Sequence, residues 1–440
     1  MKQYATSFTP ELSSSNHLFR NGLLRWQALT FAERFVCTAI TLVPVWWFIG
    51  WSYCPLMLVV GLFTYQVAYH KKLGLSRPSL SVVALLSFAI YSTIIYEVKA
   101  PDGGPMGLIG LMQLWGAGGL LLWYVQSHQV RVRLQPIAWA FSIVVIQAIG
   151  FWLFTHFILS EPYINPSRTL IASFLDKGER YISGRSGGVS NYLVPYNLEH
   201  KGLFGLVRYT FFFPHPTITA LVFSFIILIA LDLKNRMWSQ SLIVLCSLII
   251  IILQSRNAWV VLPIVVLIRW VLLTGRVKGV AFLLALFAAT SFITLSIPSV
   301  TSTLTDKITG TIESTSNLRK SSTDDRNKIY VRTWEAIIDE PPIIGNAVNG
   351  PSVTPGYDFA RVGTESFVLG TLLYKSGFVG TGIFLTFLIS FLSWIYKTRE
   401  NRPACCFLMM LLLALMSSIT EFTPTEVFTV LLCAMINNSS

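Results

Sequence analysis

Apolar residues gather along this chain into long blocks separated by short polar breaks, and most blocks are about as long as a bilayer is thick. Roughly 20 apolar residues in a helix cross the hydrocarbon layer. Blocks near that length at 35–52, 54–70, 80–97, 105–126, 134–160, 214–233, 239–254, 257–273, 280–297, 367–396, 403–420 and 423–437 predict membrane-spanning helices. The pattern therefore predicts an all-α polytopic membrane protein of about 12 transmembrane helices. Two inserts, about 161–211 and 298–366, interrupt it. Both are too polar to lie in lipid and too long to serve as plain connectors, so they are expected to carry short helices of their own. Residues 1–34 precede the first block as a polar arm, and 35–440 form a single transmembrane domain. No internal repeat or low-complexity tract divides it.

The short breaks alternate in charge. Lys71, Lys72 and Arg77 fall on one side of the predicted membrane, as do Arg131 with Arg133, Lys234 with Arg236, Arg276 with Lys278, and Lys397, Arg399 with Arg402. Short loops rich in Lys and Arg mark the cytoplasmic face. Both termini then lie inside, and both long inserts lie outside. In the arm, Arg20, Arg25 and Arg34 interleave with apolar residues. That suits either a helix lying on an anionic leaflet or a disordered basic tail. The arm is too long, and its first apolar block too complete a span, for a cleavable signal peptide.

Composition sharpens this picture. Of 440 residues, 53% are hydrophobic and 12% charged, about half the charged share of a soluble protein. The net charge of +12 is spread through the short loops with no contiguous basic groove, so no nucleic-acid partner is expected. The six cysteines sit in or beside apolar blocks without CxxC spacing and read as membrane-core residues. The histidines lack metal spacing, and no phosphate-binding glycine loop or dinucleotide fingerprint occurs. Neither metal nor cofactor is expected.

Candidate chemistry gathers on the outer side. Arg256 sits in Gln254-Ser255-Arg256-Asn257, a polar notch between two apolar blocks on the cation-poor face. A snorkelling arginine is the plain alternative. Arg208 precedes a block, beside Tyr209. On the large insert, Arg326 and Tyr330 share a helical face at i, i+4, with Arg332 and Trp334 nearby. Arginine's planar fork matches phosphate oxygens with paired hydrogen bonds, so Arg208, Arg256, Arg326 and Arg332 are candidates to grip a pyrophosphate. Glu365 lies where the chain returns to the membrane. It is a candidate general base, or simply an acid at a helix start together with Thr364 and Ser366. Tyr330, Trp334, His215 and Ser366 are candidates to contact a glycan, although packing also explains the aromatic pair and a turn explains His215.

Four stretches together resemble the O-antigen ligase and polymerase superfamily of membrane glycosyltransferases (Wzy/WaaL type). They are Arg208 with the run through Pro214; Ser255-Arg256; Arg326 through Trp334 into Glu340-Pro341-Pro342-Ile343-Ile344-Gly345; and Glu365-Ser366 leading to Gly377-Phe378-Val379-Gly380. The resemblance covers most of the second half. It implies a GT-C-like, metal-independent, inverting transfer on the periplasmic face of the bacterial inner membrane. The donor is an oligosaccharide linked to undecaprenyl pyrophosphate, and the acceptor is a sugar hydroxyl. Arg256 and Glu365 are the implied catalytic residues. Chain-length regulators and flippases are implied partners beside the bilayer itself. Ligases of this family carry a histidine where this chain has Glu365-Ser366, which turns the expectation toward a polymerase. A ligase acting on lipid A-core is the alternative, and a lipid-linked glycan flippase is the rival of another class.

Overall fold

The computed structural model describes residues 18–20, 23–100, 104–158, 167–176, 191–197, 207–273, 320–340, 342–354 and 360–438. Its helices, in chain order, are α1 (Phe31–Thr41), α2 (Val43–Ile49), α3 (Cys54–His70), α4 (Leu80–Lys99), α5 (Gly104–Leu111), α6 (Ala117–Ser127), α7 (Leu134–Phe157), α8 (Leu170–Phe174), α9 (Pro216–Leu231) and α10 (Arg236–Leu253). They continue with α11 (Arg256–Leu273), α12 (Lys320–Asp339), α13 (Gly377–Lys397), α14 (Ala404–Met416) and α15 (Pro424–Met435). Strands among the described residues are two-residue pairs, so the protein is an all-α membrane protein.

Among the described residues, seven helical stretches are long and apolar enough to cross a membrane. They are Trp51–His70, Leu80–Lys99, Gly107–Ser127, Leu134–Phe157, Arg236–Leu253, Arg256–Leu273 and Gly377–Lys397. An eighth is α1 with α2, bent by 63°. Pro44 opens α2, where its missing N–H and its ring interrupt the helix. The blocks expected at 214–233, 403–420 and 423–437 form the shorter apolar helices α9, α14 and α15. The block at 280–297 and the expected loop Gly184–Ser190 lie outside the described residues.

Helix α9 shows why a short helix suffices. It is apolar all round, and every residue from Pro216 to Ala230 is buried, as a helix enclosed by other helices must be. Helices α7, α10 and α14 pack on it. One continuous core runs through nearly all the helices. A buried pair pins α1 to the start of α7: Arg133 Nε and Nη2 donate to Glu33 Oε1 and Oε2 at 2.6 and 2.7 Å. Removing one partner of such a pair costs about 3–5 kcal/mol, because the other charge stays buried.

Three expectations change. The arm before α1 is neither an interfacial helix nor a tail where it is described. Phe19–Arg20 pairs antiparallel with Leu23–Leu24, and Phe19 packs edge-on against Trp238. Burying Leu18 and Phe19 outweighs the helical pattern of the arginines. The block at 367–396 is also not one helix. Phe367–Lys375 is π-helical, and Gly377, at φ +66°, separates it from α13. Within the block at 105–126, Met112–Gly116 forms another π-helical turn between α5 and α6.

The large insert is held by a second, smaller core of Ile337, Val362 and Tyr374. Along α12, Ile329, Thr333 and Ile337 are buried at i, i+4, i+8, so this face fixes the helix on the chain that follows it. The Thr333 hydroxyl accepts from Gly363 N at 2.9 Å. The insert is tied to the π-helix by a backbone clasp. Asn346 N and Ala347 N donate to Tyr374 O and Lys375 O, and Phe378 N and Val379 N donate to Pro342 O and Ile343 O. Tyr91 of α4 closes it by donating to Ile344 O at 2.8 Å.

Candidate functional site

Four separate segments meet beside this clasp. The first is the strand pair Tyr196–Asn197 with Arg208–Tyr209. It rests on an aromatic bed in which Tyr209 packs on Tyr196 and Phe211 and Phe151 packs on Phe211 and Phe212. Arg208 is buried, 7% exposed, and its Nε donates to Leu253 O at 3.0 Å. Leu253 is the last residue of α10, where free carbonyls favour a cation.

The second segment is the break between α10 and α11. Gln254 caps α10 in the left-handed region, at φ +52°, which turns the chain so that Ser255 and Arg256 start the next helix. A cation at a helix N-terminus opposes the macrodipole by about 0.3–1 kcal/mol. Arg256 therefore stands where helix stability alone would place another residue. The Ser255 hydroxyl is buried and has no hydrogen-bond partner among the described residues.

Helix α12 supplies the third segment. Arg326 and Tyr330 lie one turn apart on the side of its buried stripe. The fourth is the turn at Gly363–Ser366. Here Arg326 Nη2 meets Glu365 Oε2 at 2.9 Å, and Tyr330 OH donates to Glu365 O at 3.3 Å. Glu365 holds φ +64°, a conformation that costs a non-glycine residue roughly 1–2 kcal/mol and that recurs at functional sites.

Electrostatic contact joins the four. Arg326 acts on Arg256, and Arg208 and Arg326 both act on His215. Burial first, then Arg208 and Arg326, hold the His215 imidazole well below its usual pKa. The residue as a whole is half-buried, but the imidazole is surrounded by protein, so desolvation leads. His215 Nδ1 accepts from Thr217 N at 3.2 Å. The neutral ring then carries its proton on Nε2 and offers it as a donor. Burial raises the Tyr330 phenol; Arg326 opposes the rise and Glu365 adds to it. The phenol stays protonated near neutral pH.

Three guanidiniums, an imidazole N–H and a phenol thus gather here, and the Glu365 carboxylate accepts from Arg326. Gathering like charges opposes folding, and an anion relieves it. A phosphate or pyrophosphate suits donors of this geometry.

The remaining candidates lie elsewhere. Arg332 is 69% exposed and pairs with Glu335 at 3.3 Å; Trp334 is 52% exposed. They lie on opposite flanks of the buried stripe, Trp334 one turn beyond Tyr330 and Arg332 on the far flank from Arg326, and both side chains are exposed. The Ser366 hydroxyl is spent on structure: it caps the π-helix by accepting from Leu369 N and donates to Ser418 O. Ser366, not Glu365, is the helix-start residue. Thr333 escaped the sequence reading, and Ser255 entered it only as part of the polar notch around Arg256. The stripe flags Thr333 as a polar residue in an apolar row, whereas nothing in the sequence marks the Ser255 hydroxyl as buried. Among the described residues no group of three or more His, Cys, Asp or Glu could hold a metal.

These features define a polytopic helical membrane protein with an arginine-rich site on one face. No protein-family model matches the chain, and no curated protein matches it either.

Proposed function

We propose that this protein is a membrane glycosyltransferase using a lipid-pyrophosphate-linked glycan as donor. More particularly, it is a polysaccharide polymerase of the bacterial inner membrane, moving a glycan from undecaprenyl pyrophosphate to a sugar hydroxyl on the periplasmic face. The observation that carries this reading is that Arg208 and Arg326 both act on His215 and Arg326 acts on Arg256, residues far apart in sequence, while Arg326 pairs with Glu365. Arginine donors stabilise the negative charge that develops on a departing pyrophosphate.

In this mechanism Arg208 and Arg256, held at the ends of α10 and α11, grip the pyrophosphate. His215 Nε2–H adds a donor, because its tautomer leaves it no basic nitrogen there. Arg326 has two roles. Before the donor binds it pairs with Glu365; the pyrophosphate then draws it away, and Glu365 is released to accept the proton of the acceptor hydroxyl. Attack on the anomeric carbon from the side opposite the pyrophosphate inverts its configuration. The C–O bond to phosphate breaks, and undecaprenyl pyrophosphate leaves with the electron pair. Twelve spans in all, with both long inserts outside, complete the proposed topology.

The deciding experiment uses purified protein with an undecaprenyl-pyrophosphate oligosaccharide in the presence of EDTA. Wild type releases undecaprenyl pyrophosphate and forms longer glycan. Arg256→Ala lowers the rate by about 10²–10³-fold, the usual cost of removing one donor from an anion-stabilising site, and still inserts in membranes. Normal product from that variant, or unchanged substrate appearing across a vesicle membrane, rejects the proposal.

A further inference from the structure

Two voids meet among the short basic loops, from which the larger reaches through the bundle to Trp51, Phe213 and Thr425. The first is an apolar cavity of ≈ 480 Å³ walled by α1, α3, α6, α7, α9 and α15, with Val144, Phe225 and Leu431 in its lining. Its size and apolar walls are those of a ligand site, within the range of about 300–1,000 Å³. Phe31 of α1 and Tyr65 of α3 also line it. Their rings stack at 5.9 Å, and both are exposed, so this side faces the surrounding lipid.

The second void, ≈ 340 Å³, is polar and is lined by Arg77, Arg131 and Arg402 together with Ser79, Gln126 and Asn437. Val125, Gln129, Val130, Arg131 and Met435 line both voids, so the two adjoin there. Arg34 stands at the edge of the apolar cavity. Among the described residues no carboxylate lines either space, and none of these four arginines joins an ion pair. The Asn437 Oδ1 is buried without a hydrogen-bond partner among the described residues.

We propose that the adjoining voids bind one anionic glycerophospholipid, its acyl chain in the apolar cavity and its phosphate among Arg77, Arg131 and Arg402. A free anion would use the arginines and leave the cavity idle. A neutral lipid would fill the cavity and leave Arg77 and Arg131 without a counter-charge, Arg402 being held in part by Thr398 Oγ1, Cys433 O and Ile436 O. An anionic lipid satisfies both, and a headgroup hydroxyl gives Asn437 Oδ1 its donor. The lipid ties α1, α3, α6 and α15 together where the polypeptide leaves space between them. This site is separate from the Arg326–Glu365 cluster and stands whether or not the protein transfers glycans.

The test uses the full chain in non-ionic detergent, titrated with dioleoyl phosphatidylglycerol or dioleoyl phosphatidylcholine. Thermal unfolding is followed, and retained lipid is counted by native mass spectrometry. Phosphatidylglycerol is retained at one per chain and raises Tm more than phosphatidylcholine does. Arg77→Gln with Arg131→Gln weakens its retention by about fivefold per lost charge and leaves Tm in phosphatidylcholine unchanged. Ala39→Phe, which fills the cavity from α1, expels the lipid with all arginines intact. Should Ala39→Phe fail to fold, the arginine variant and lipid competition still decide. Equal retention of both lipids overturns the proposal. So does an equal Tm rise from inorganic phosphate, which makes this a free-anion site. Displacement of phosphatidylglycerol by equimolar undecaprenyl phosphate also overturns it, giving the cavity to a prenyl tail.

Discussion

Glu365 carries two burdens, an unfavourable backbone conformation and a partly exposed ion pair with Arg326. The pair is 25% and 35% exposed, which limits its worth to about 0–1 kcal/mol. The left-handed backbone costs as much or more. Glu365→Gly is therefore expected to leave unfolding stability unchanged or raised by up to about 1 kcal/mol while abolishing glycan transfer, as measured by denaturant unfolding beside product formation. Glu365→Gln, which keeps donor affinity, should slow turnover by 10²–10⁴-fold, the usual contribution of a positioned acid or base. Full activity in the Gln variant would return Glu365 to a positioning role. His215 makes a pH prediction. Its folded pKa is depressed, so the unfolded chain binds more protons below its own pKa of about 6.5. Stability is complete above that value. It is lost as pH falls from 6.5 toward the depressed pKa, by at most about 1.4 kcal/mol per pH unit. His215→Asn keeps a helix-capping acceptor and should flatten the difference between unfolding at pH 5 and at pH 7.5.

At the scale of elements, the clasp between the large insert and the π-helix positions Glu365. Its tightness comes from glycine. A Cβ on Gly377 would lie 2.4 Å from both Gly345 N and Pro342 O, and one on Gly345 would lie 2.2 Å from Lys375 O. Gly377 also has φ +66°. Gly377→Ala is thus expected to destabilise the fold by more than the ~1–2 kcal/mol of the left-handed conformation alone. Limited proteolysis should then cut first within the insert, before α13. Wild-type resistance in this variant would show that the clasp does not hold the insert. The helical period alone places Arg326 and Tyr330 together and Arg332 opposite them. The clasp was visible in the sequence as two glycine-bearing stretches, Pro341-Pro342-Ile343-Ile344-Gly345 and Lys375-Ser376-Gly377. That these two lock onto each other required the tertiary structure.

For the whole molecule, the proposed topology puts the arginine–glutamate site and the arginine-lined polar void on opposite faces. The native cysteines among the described residues are all buried, so single engineered cysteines report topology cleanly. Arg332→Cys should react with an impermeant maleimide from outside intact cells, and Lys72→Cys only after permeabilisation. The reverse pattern would invert the protein in the membrane. What the sequence alone determined was the class, because burying apolar blocks in lipid requires every backbone polar group to be bonded within its own helix. It also determined which residue types could face a pyrophosphate. Hydropathy, however, measures only how apolar a block is. It cannot tell a block facing lipid from one enclosed by other helices, so the sequence did not mark α9 as the helix enclosed on all sides. The tertiary structure decided which candidates meet. Arg208, Arg256 and Arg326 are brought near one another by long-range packing, whereas Arg332 and Trp334, close to Arg326 in sequence, lie on the two exposed flanks of its helix.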